Sequence, residues 1–278
     1  MKSDADAGNK KIAEAEIGSP MYLAGEWVKR DAEIDVRNPI DGTLIGTIPR
    51  GTTEDIETAV KAAEASLEKD FPLHARCDVL MAAAERVEAR KDEYAWTIAC
   101  EGSKAIGEAR REPVRVAQLL RLSAEEGRRL GGETLPFDSK VGSENREGYY
   151  FRFPLGVVGA ITPFNDPLAM AAHKTAPALA AGNAVVLKPG TATPFSALGL
   201  ARDLLEAGLP PDRIHVVTGP GNELGEALAS SSSVRLLSFT GGVETGERIT
   251  RIAGIKKLSM ELGSNSPVIV NADAELDL

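Results

Sequence analysis

Polar residues suited to acid–base and anion-binding chemistry follow short apolar runs in the second half of the chain. Asn165 follows "GVVGAIT" within "PFNDP", Lys188 follows "AVVL", and Glu261 follows "LSM". A side-chain amide can donate to a developing oxyanion, an ammonium group can hold a ribose or a phosphate, and a carboxylate can act as a general base. These residues are candidates for catalysis and nucleotide binding.

Each candidate also has a structural interpretation. Asn165 stands between two prolines, and Asn and Pro are both favoured at helix starts, so its side chain could serve only as a helix cap. Lys188 could be a solvated lysine at a strand end, because lysine is usually exposed. The sequence alone leaves both pairs of alternatives open.

Two glycine-rich turns follow further apolar runs. They are "TGPGNELG", with Gly219, Gly221 and Gly225, and "FTGGVETG", with Thr240, Gly241, Gly242 and Gly246. Glycines at a helix start let backbone N–H groups approach a phosphate. Neither turn has the G-x-G-x-x-G spacing, and one such turn alone indicates a loop. Four strand ends that all carry polar or glycine residues point to one ligand site.

Strand-like and helix-like segments alternate after residue 156. Short apolar runs such as "AVVLK" and "LLSFT" are separated by helical patterns, including helices near 167–181 and 195–207. Apolar strands joined by helical crossovers predict an α/β fold with a parallel sheet covered by helices on both faces. In such sheets ligands bind beyond the carboxyl ends of the strands, where these polar residues lie.

The first half of the chain has a different organisation. Residues 1–18 are polar and lack periodicity, so we expect a loose arm. Strand and turn signals follow, and a helical block then begins after a capping residue, Thr52 or Thr53, with Pro113 marking a break or restart.

Composition narrows the classes of partner. The 278 residues carry a net charge of -9 and are 43% hydrophobic, which describes a globular protein and argues against nucleic-acid or anionic-membrane binding. Cys77 and Cys100 suit neither a metal clip nor a disulfide framework, so we expect no metal site. No secretory signal or membrane span is visible, which favours the cytoplasm.

The motifs together resemble the aldehyde dehydrogenase superfamily over nearly the whole chain. The matching segments are "ITPFNDP", "AAHKTAPALAAGNAVVLKPGTATP", "VVTGPGNELG", "LSFTGGVETG" and "MELGSNSP". The resemblance implies a Rossmann-type NAD(P)-binding domain over residues 19–265, which includes the N-terminal helical block. It also implies a protruding oligomerisation hairpin strand near 140–154 and the start of a catalytic domain at 266–278.

The resemblance also assigns roles to individual residues. Asn165 is similar to the oxyanion-hole amide, Glu261 to the general base, and Lys174 to a lysine sometimes found in a proton path. The implied cofactor-binding residues are Ile161, Thr162, Pro163, Phe164, Lys188, Gly190, Thr191, Gly221, Gly225, Phe239, Thr240, Gly241, Gly242, Thr245, Leu262 and Gly263.

Three residues depart from the family pattern. Thr191 replaces a glutamate that binds the ribose hydroxyls in NAD-preferring members, and without that carboxylate a 2′-phosphate is not repelled. The expected cofactor is therefore NAD or NADP, with NADP or dual use favoured. Gly242 replaces a serine of the pyrophosphate loop, and Ser264 replaces a glycine whose turn a Cβ restricts.

The nucleophilic cysteine of the family lies beyond the glutamate, and both cysteines of this chain precede the cofactor motifs. We expect the N-terminal portion of an aldehyde-oxidising enzyme, with a small-molecule aldehyde as substrate and a homo-oligomer at full length. The chain alone is then expected to be inactive. The alternative is a non-catalytic nucleotide-binding or scaffolding module that keeps the cofactor fold.

Overall fold

A computed structural model describes residues 19–275. The strands are β1 Met21–Leu23, β2 Glu26–Val28, β3 Glu33–Arg37, β4 Leu44–Pro49, β5 Gly132–Leu135, β6 Gly148–Phe151, β7 Val157–Ile161, β8 Ala184–Lys188, β9 Ile214–Val216, β10 Val234–Thr240 and β11 Lys257–Glu261. The helices are α1 Thr53–Ser66, α2 Leu73–Ala89, α3 Lys91–Gly102, α4 Ile106–Ala109, α5 Arg111–Gly127, α6 Pro167–Ala180, α7 Phe195–Glu206, α8 Gly221–Ser230 and α9 Val243–Ile252.

The central sheet has the order β11-β10-β7-β8-β9-β1-β2 within the described residues. From β11 to β9 every neighbouring pair is parallel, and the β1–β2 hairpin adds to the β9 edge in antiparallel fashion. All residues of β7 and β8 are buried, because helices cover both faces. The predicted α/β class with a parallel sheet is confirmed.

The helical block packs on both faces of this sheet, with α1 on the face that carries α8 and α9, and α2 to α5 on the opposite face. Its first helix, α1, begins at a capping box: Thr52 Oγ1 accepts from Asp55 N, and the Asp55 carboxylate accepts from Thr52 N. Thr52 is thus the capping residue of the two that the sequence offered. Pro113 lies in the first turn of α5, where its missing N–H costs no helical bond, so it marks the restart of a helix.

The strand predicted near 140–154 is β6, and its partner is local. β5 and β6 pair antiparallel, with Gly132 opposite Phe151 and Leu135 opposite Gly148. Tyr149, Phe151 and Phe153 are 67–81% exposed. The hairpin therefore presents an aromatic surface to solvent.

The segment 266–278, expected to begin a catalytic domain, forms no strand within the described residues. Residues 262–275 carry no helix or strand, and Val268, Ile269 and Val270 are all exposed. A strand needs a neighbour for its backbone hydrogen bonds, and none lies beside this segment in the described part of the chain. The expected arm at 1–18, and residues 276–278, lie outside the described residues.

His215 fixes the β1–β2 hairpin to the sheet. Its buried ring accepts from Ala24 N at Nδ1 (3.1 Å), while Nε2 faces Asp212 O at 3.1 Å. Nε2 donates in the neutral tautomer, and burial lowers the pKa of His215 to about 4.

The stability of the fold should therefore depend on His215 at mildly acid pH. Unfolded chains protonate histidine near pH 6.5, whereas the folded state resists protonation until about pH 4. This contribution is full above pH 6.5 and is lost as pH falls toward 4, by about 2 to 3 kcal/mol. Urea unfolding at pH 7, 6 and 5 measures it.

The control is the same urea series on two variants. His215→Gln should be less stable and should lose this part of the slope, whereas His74→Gln, at an exposed histidine, should match the unaltered chain. An unchanged slope in His215→Gln would refute the assignment.

Within residues 19–275, every helix is too short or too polar to span a lipid bilayer.

Candidate active site

A cleft of about 340 Å³ opens at the carboxyl ends of β7, β8 and β10. Most of the cofactor-binding residues inferred from the sequence line it. They are Ile161, Thr162, Pro163, Phe164, Lys188, Gly190, Thr191, Gly221, Gly225, Phe239, Thr240 and Thr245. Residues from four separate strand-end loops thus meet in one cleft, as the parallel topology predicts.

Lys188 is buried, which excludes the solvated-lysine interpretation. It is 3% exposed, and its Nζ donates to Pro189 O (2.9 Å) and Thr191 Oγ1 (3.1 Å). Neither partner is a carboxylate, and burial lowers the pKa of Lys188 to about 8. An ammonium has three N–H donors, so one more is available to a ligand in the cleft.

Asn165 lies in the loop between β7 and α6 and is exposed. The residue preceding α6 is Asp166, and no side chain at that position caps the helix. Asp166 instead forms an ion pair with Lys104, which also contacts the buried Glu112 at 2.8 Å. The helix-cap interpretation of Asn165 is therefore wrong. Asn165 borders the cleft and is absent from its lining.

Glu261 ends β11, directly opposite Thr240 in the register with β10. Lys174, from α6, is buried beside them and donates to Thr240 Oγ1 (2.9 Å) and Ser238 Oγ (3.0 Å). Burial lowers the pKa of Lys174 to about 8, and the charge of Glu261 opposes that shift. Glu261 is exposed and, like Asn165, borders the cleft at the same edge of the sheet.

The helices that begin at this edge fall into two groups: some have their first N–H groups bound by a buried glutamate, and others have no side-chain cap. Buried Glu112 accepts from Ala169 N at the start of α6, and buried Glu101 accepts from Phe195 N and Ser196 N at the start of α7. Among residues 19–275, no side chain caps α8 or α9, whose first turns line the cleft. Free N–H groups and the helix dipole at these two starts are suited to holding an anion.

Four cofactor-binding residues inferred from the sequence lie beside the cleft instead of lining it. Gly241 N donates to Glu261 O at 3.1 Å, and a Cβ on Gly241 would come within 2.5 Å of the Phe239 ring. A Cβ on Gly263 would meet Val243 at 3.3 Å, which places that residue at the start of α9. The four residues are Gly241, Gly242, Leu262 and Gly263.

The cleft also contains residues that the sequence analysis missed: Ala192, Asn222, Glu226, Arg248, Ile249 and Ile252. Helical periodicity could have found most of them. Asn222 and Glu226 share a face of α8 with Gly225, and Arg248 lies one turn after Thr245 on α9. The capping glutamates Glu101 and Glu112 carry no such local signal, because their partners lie far away in sequence.

Both cysteines lie in the helical block. Cys77 is buried, and its Sγ contacts Ala124 O at 3.2 Å. Burial raises the pKa of the half-buried Cys100 thiol, and the charges of Glu101 and Asp41 raise it further. Neither residue lines the cleft, and the raised pKa of Cys100 is the opposite of what a reactive thiol needs.

The model of the aldehyde dehydrogenase family matches residues 27–278. The chain belongs to this family. It is 44% identical to a 3-sulfolactaldehyde dehydrogenase from Priestia aryabhattai and 45% identical to aspartate-semialdehyde dehydrogenase 1 from Pseudomonas canavaninivorans. These matches cover 92% and 89% of this chain but 54% and 53% of the relatives, so the chain spans about half of their length.

A solved aldehyde dehydrogenase structure shares the fold. The NADP-dependent glyceraldehyde-3-phosphate dehydrogenase from Bacillus halodurans, complexed with NADP, superposes with a TM-score of 0.87 at 38% identity. The match covers 94% of this chain and 56% of that one. The family resemblance of the sequence motifs is thereby confirmed.

Proposed function

We propose that this chain binds NAD or NADP in the cleft and forms the cofactor-binding portion of an enzyme that oxidises an aldehyde to a carboxylic acid. The observation that carries the proposal is the cleft itself. It combines the buried Lys188, which has an unused donor and no recorded carboxylate partner, with two uncapped helix starts. A nucleotide with ribose hydroxyls and a pyrophosphate satisfies both features.

The residues of the cleft fit the successive parts of the cofactor. Lys188 and Thr191 would hold the adenosine ribose, and the N–H groups at the starts of α8 and α9 would hold the pyrophosphate. Residues 161–164, with Leu262 and Gly263, would flank the nicotinamide. When bound, the nicotinamide accepts the hydride that leaves the substrate.

Two bordering residues suit the chemical step. The Asn165 amide would donate to the oxyanion that develops on the substrate carbonyl, and Glu261 would remove a proton from the hydrolytic water. The buried Lys174 donates to Thr240 Oγ1, and Thr240 lies directly opposite Glu261 in the sheet.

We propose that neither cysteine of this chain is the nucleophile. Cys77 is buried in the helical block, and the raised pKa of Cys100 disfavours its thiolate. The two unpaired thiols fit a reducing compartment such as the cytoplasm. Without a reactive thiol at the cleft, the chain alone would bind cofactor and would not turn over.

The substrate proposed for the complete enzyme is an aldehyde that carries an anionic group. Three proteins similar to this chain support this. Their names give 3-sulfolactaldehyde, aspartate semialdehyde and glyceraldehyde 3-phosphate, and each of these aldehydes carries a sulfonate, carboxylate or phosphate group.

We also propose that residues 19–265 act as the cofactor-binding domain, with 266–278 beginning the next one. The β5–β6 hairpin would mediate homo-oligomerisation of the complete protein. Exposed aromatic side chains on the hairpin support this role, because such surfaces are typical of protein interfaces.

Calorimetric titration of the purified chain with NAD and NADP tests the proposal. Both nucleotides should bind at one site, and Gly225→Val should abolish binding because its side chain would enter the cleft toward Ile161, which lies 3.7 Å from a Cβ at this position. Gly107→Val is the matched control, since a Cβ there meets no atom within 4 Å. Binding by the control should be unchanged.

The outcome that contradicts the proposal is immeasurable binding of both nucleotides by the unaltered, folded chain. Binding without NAD(P)H production, when an anionic aldehyde such as succinic semialdehyde is added, is the expected result for this chain. A scaffolding module would give the same binding. Production of NAD(P)H that persists in the Cys77→Ser, Cys100→Ser variant would contradict the proposed need for a thiol beyond these two.

A further inference from the structure

The cationic residue Arg50 does not line the cleft. Hydrogen bonds nevertheless hold its backbone close to the cleft. Thr218 Oγ1 donates to Pro49 O at 2.8 Å, and Gly51 N donates to Thr218 O at 2.9 Å. These two bonds hold residues 49–51 against the chain that leaves β9. The position of Arg50 is thus set by the same sheet that positions Lys188.

Gly219, the next residue after Thr218, connects Arg50 to the ribose end of the cleft. Its carbonyl accepts from Thr191 Oγ1 at 2.8 Å, and a Cβ on Gly219 would lie 3.2 Å from both N and O of Gly51. Its φ of +149° is also one that side chains rarely adopt. Thr191 and the residue after Arg50 therefore both contact Gly219.

The Arg50 side chain pairs with Glu223, in the first turn of α8. Arg50 Nη2 lies 2.7 Å from Glu223 Oε2, and the two side chains are 42% and 36% exposed. The same turn begins at Gly221, where a Cβ would lie 3.7 Å from Lys188 Nζ. An ion pair this exposed contributes little, so the guanidinium can exchange its partner readily.

We propose that Arg50 and Glu223 form a specificity switch at the adenosine ribose, in which Arg50 leaves Glu223 to bind the 2′-phosphate of NADP. This inference rests on the proposed function. A phosphate monoester carries a charge of about -1.5 to -2 near pH 7, whereas Lys188 supplies at most one positive charge. The planar guanidinium can bind two phosphate oxygens, and with NAD it stays paired with Glu223.

Titrating NADP and NAD into variants of the full chain tests the switch. Arg50→Gln should weaken NADP binding about 10-fold or more, as expected for a lost charged hydrogen bond, and should change NAD binding less than about 2-fold. Glu223→Gln should tighten NADP binding, because Arg50 no longer has a competing partner. Adenosine 2′,5′-bisphosphate and AMP repeat the comparison without the nicotinamide.

The control is Arg37→Gln, which removes an exposed arginine paired with Asp35 at the opposite end of the β3–β4 hairpin. Its NADP and NAD affinities should equal those of the unaltered chain. An unchanged ratio of NADP to NAD affinity in Arg50→Gln overturns the switch and leaves the proposed function standing. Failure of the unaltered chain to bind either nucleotide overturns both.

Discussion

Replacing Lys188 by Met is expected to weaken binding of both nicotinamide nucleotides by about 10- to 100-fold, the range of a buried charge-assisted hydrogen bond. The methionine has a similar length and no donor, so the ribose would lose the group that its hydroxyls contact. Calorimetry with NAD and NADP measures the loss. Lys188 is the buried cation of the cleft, and no recorded carboxylate satisfies it.

The pH dependence of binding should identify the same group. Because the pKa of Lys188 is about 8, the side chain is charged below that pH and becomes neutral above it. NADP affinity should hold steady between about pH 7 and 8 and fall as the pH rises beyond 8, since the 2′-phosphate prefers the ammonium. Lys188→Met should give a flat profile over this range.

Lys256→Met is the matched control for this prediction. Lys256 also donates two hydrogen bonds to carbonyl oxygens, those of Ala229 and Ser231, but at the far end of α8. Its loss should lower stability and leave cofactor affinity unchanged. Equal effects of the two lysines on affinity would show that Lys188 acts only by supporting the fold.

Replacing Thr191 by Glu is expected to shift the ratio of NAD affinity to NADP affinity by about 100-fold in favour of NAD, because a carboxylate would face the 2′-phosphate in the cleft. Thr191 Oγ1 lies 3.1 Å from Lys188 Nζ, so the new carboxylate would also pair with that lysine. Paired in this way, it could accept hydrogen bonds from the ribose hydroxyls of NAD.

Titrations of NAD and NADP into Thr191→Glu and Thr191→Gln separate charge from size. The glutamine has nearly the same shape without the charge, so its NADP affinity should fall far less. If both variants lose NADP binding equally, the effect comes from the lost bond between Thr191 and Gly219, and not from electrostatic repulsion.

The fold could be predicted from local sequence patterns. Buried runs such as Val157–Ile161 and Ala184–Lys188, separated by amphipathic helices, permit few arrangements except a covered parallel sheet. That topology also brought the strand ends together, so Lys188 and Phe239 could be assigned to one cleft from the sequence. The pairing of the β5–β6 hairpin was harder to predict, because short strands at a protein surface lack a buried face that sets their pairing.

Local sequence determined which residues follow each strand. Because the carboxyl ends of parallel strands share one edge, it also determined which residues could contact a bound nucleotide. Only the tertiary structure decided whether Lys188 was solvated or buried, and which helix starts were capped. Glu112 and Glu101 accept from the backbone N–H groups of Ala169 and Phe195, which lie 57 and 94 residues later along the chain. Such partners depend on how the helical block packs, and no local pattern encodes that packing. The uncapped starts of α8 and α9, and the close approach of Gly219 to Gly51, depend on the same packing.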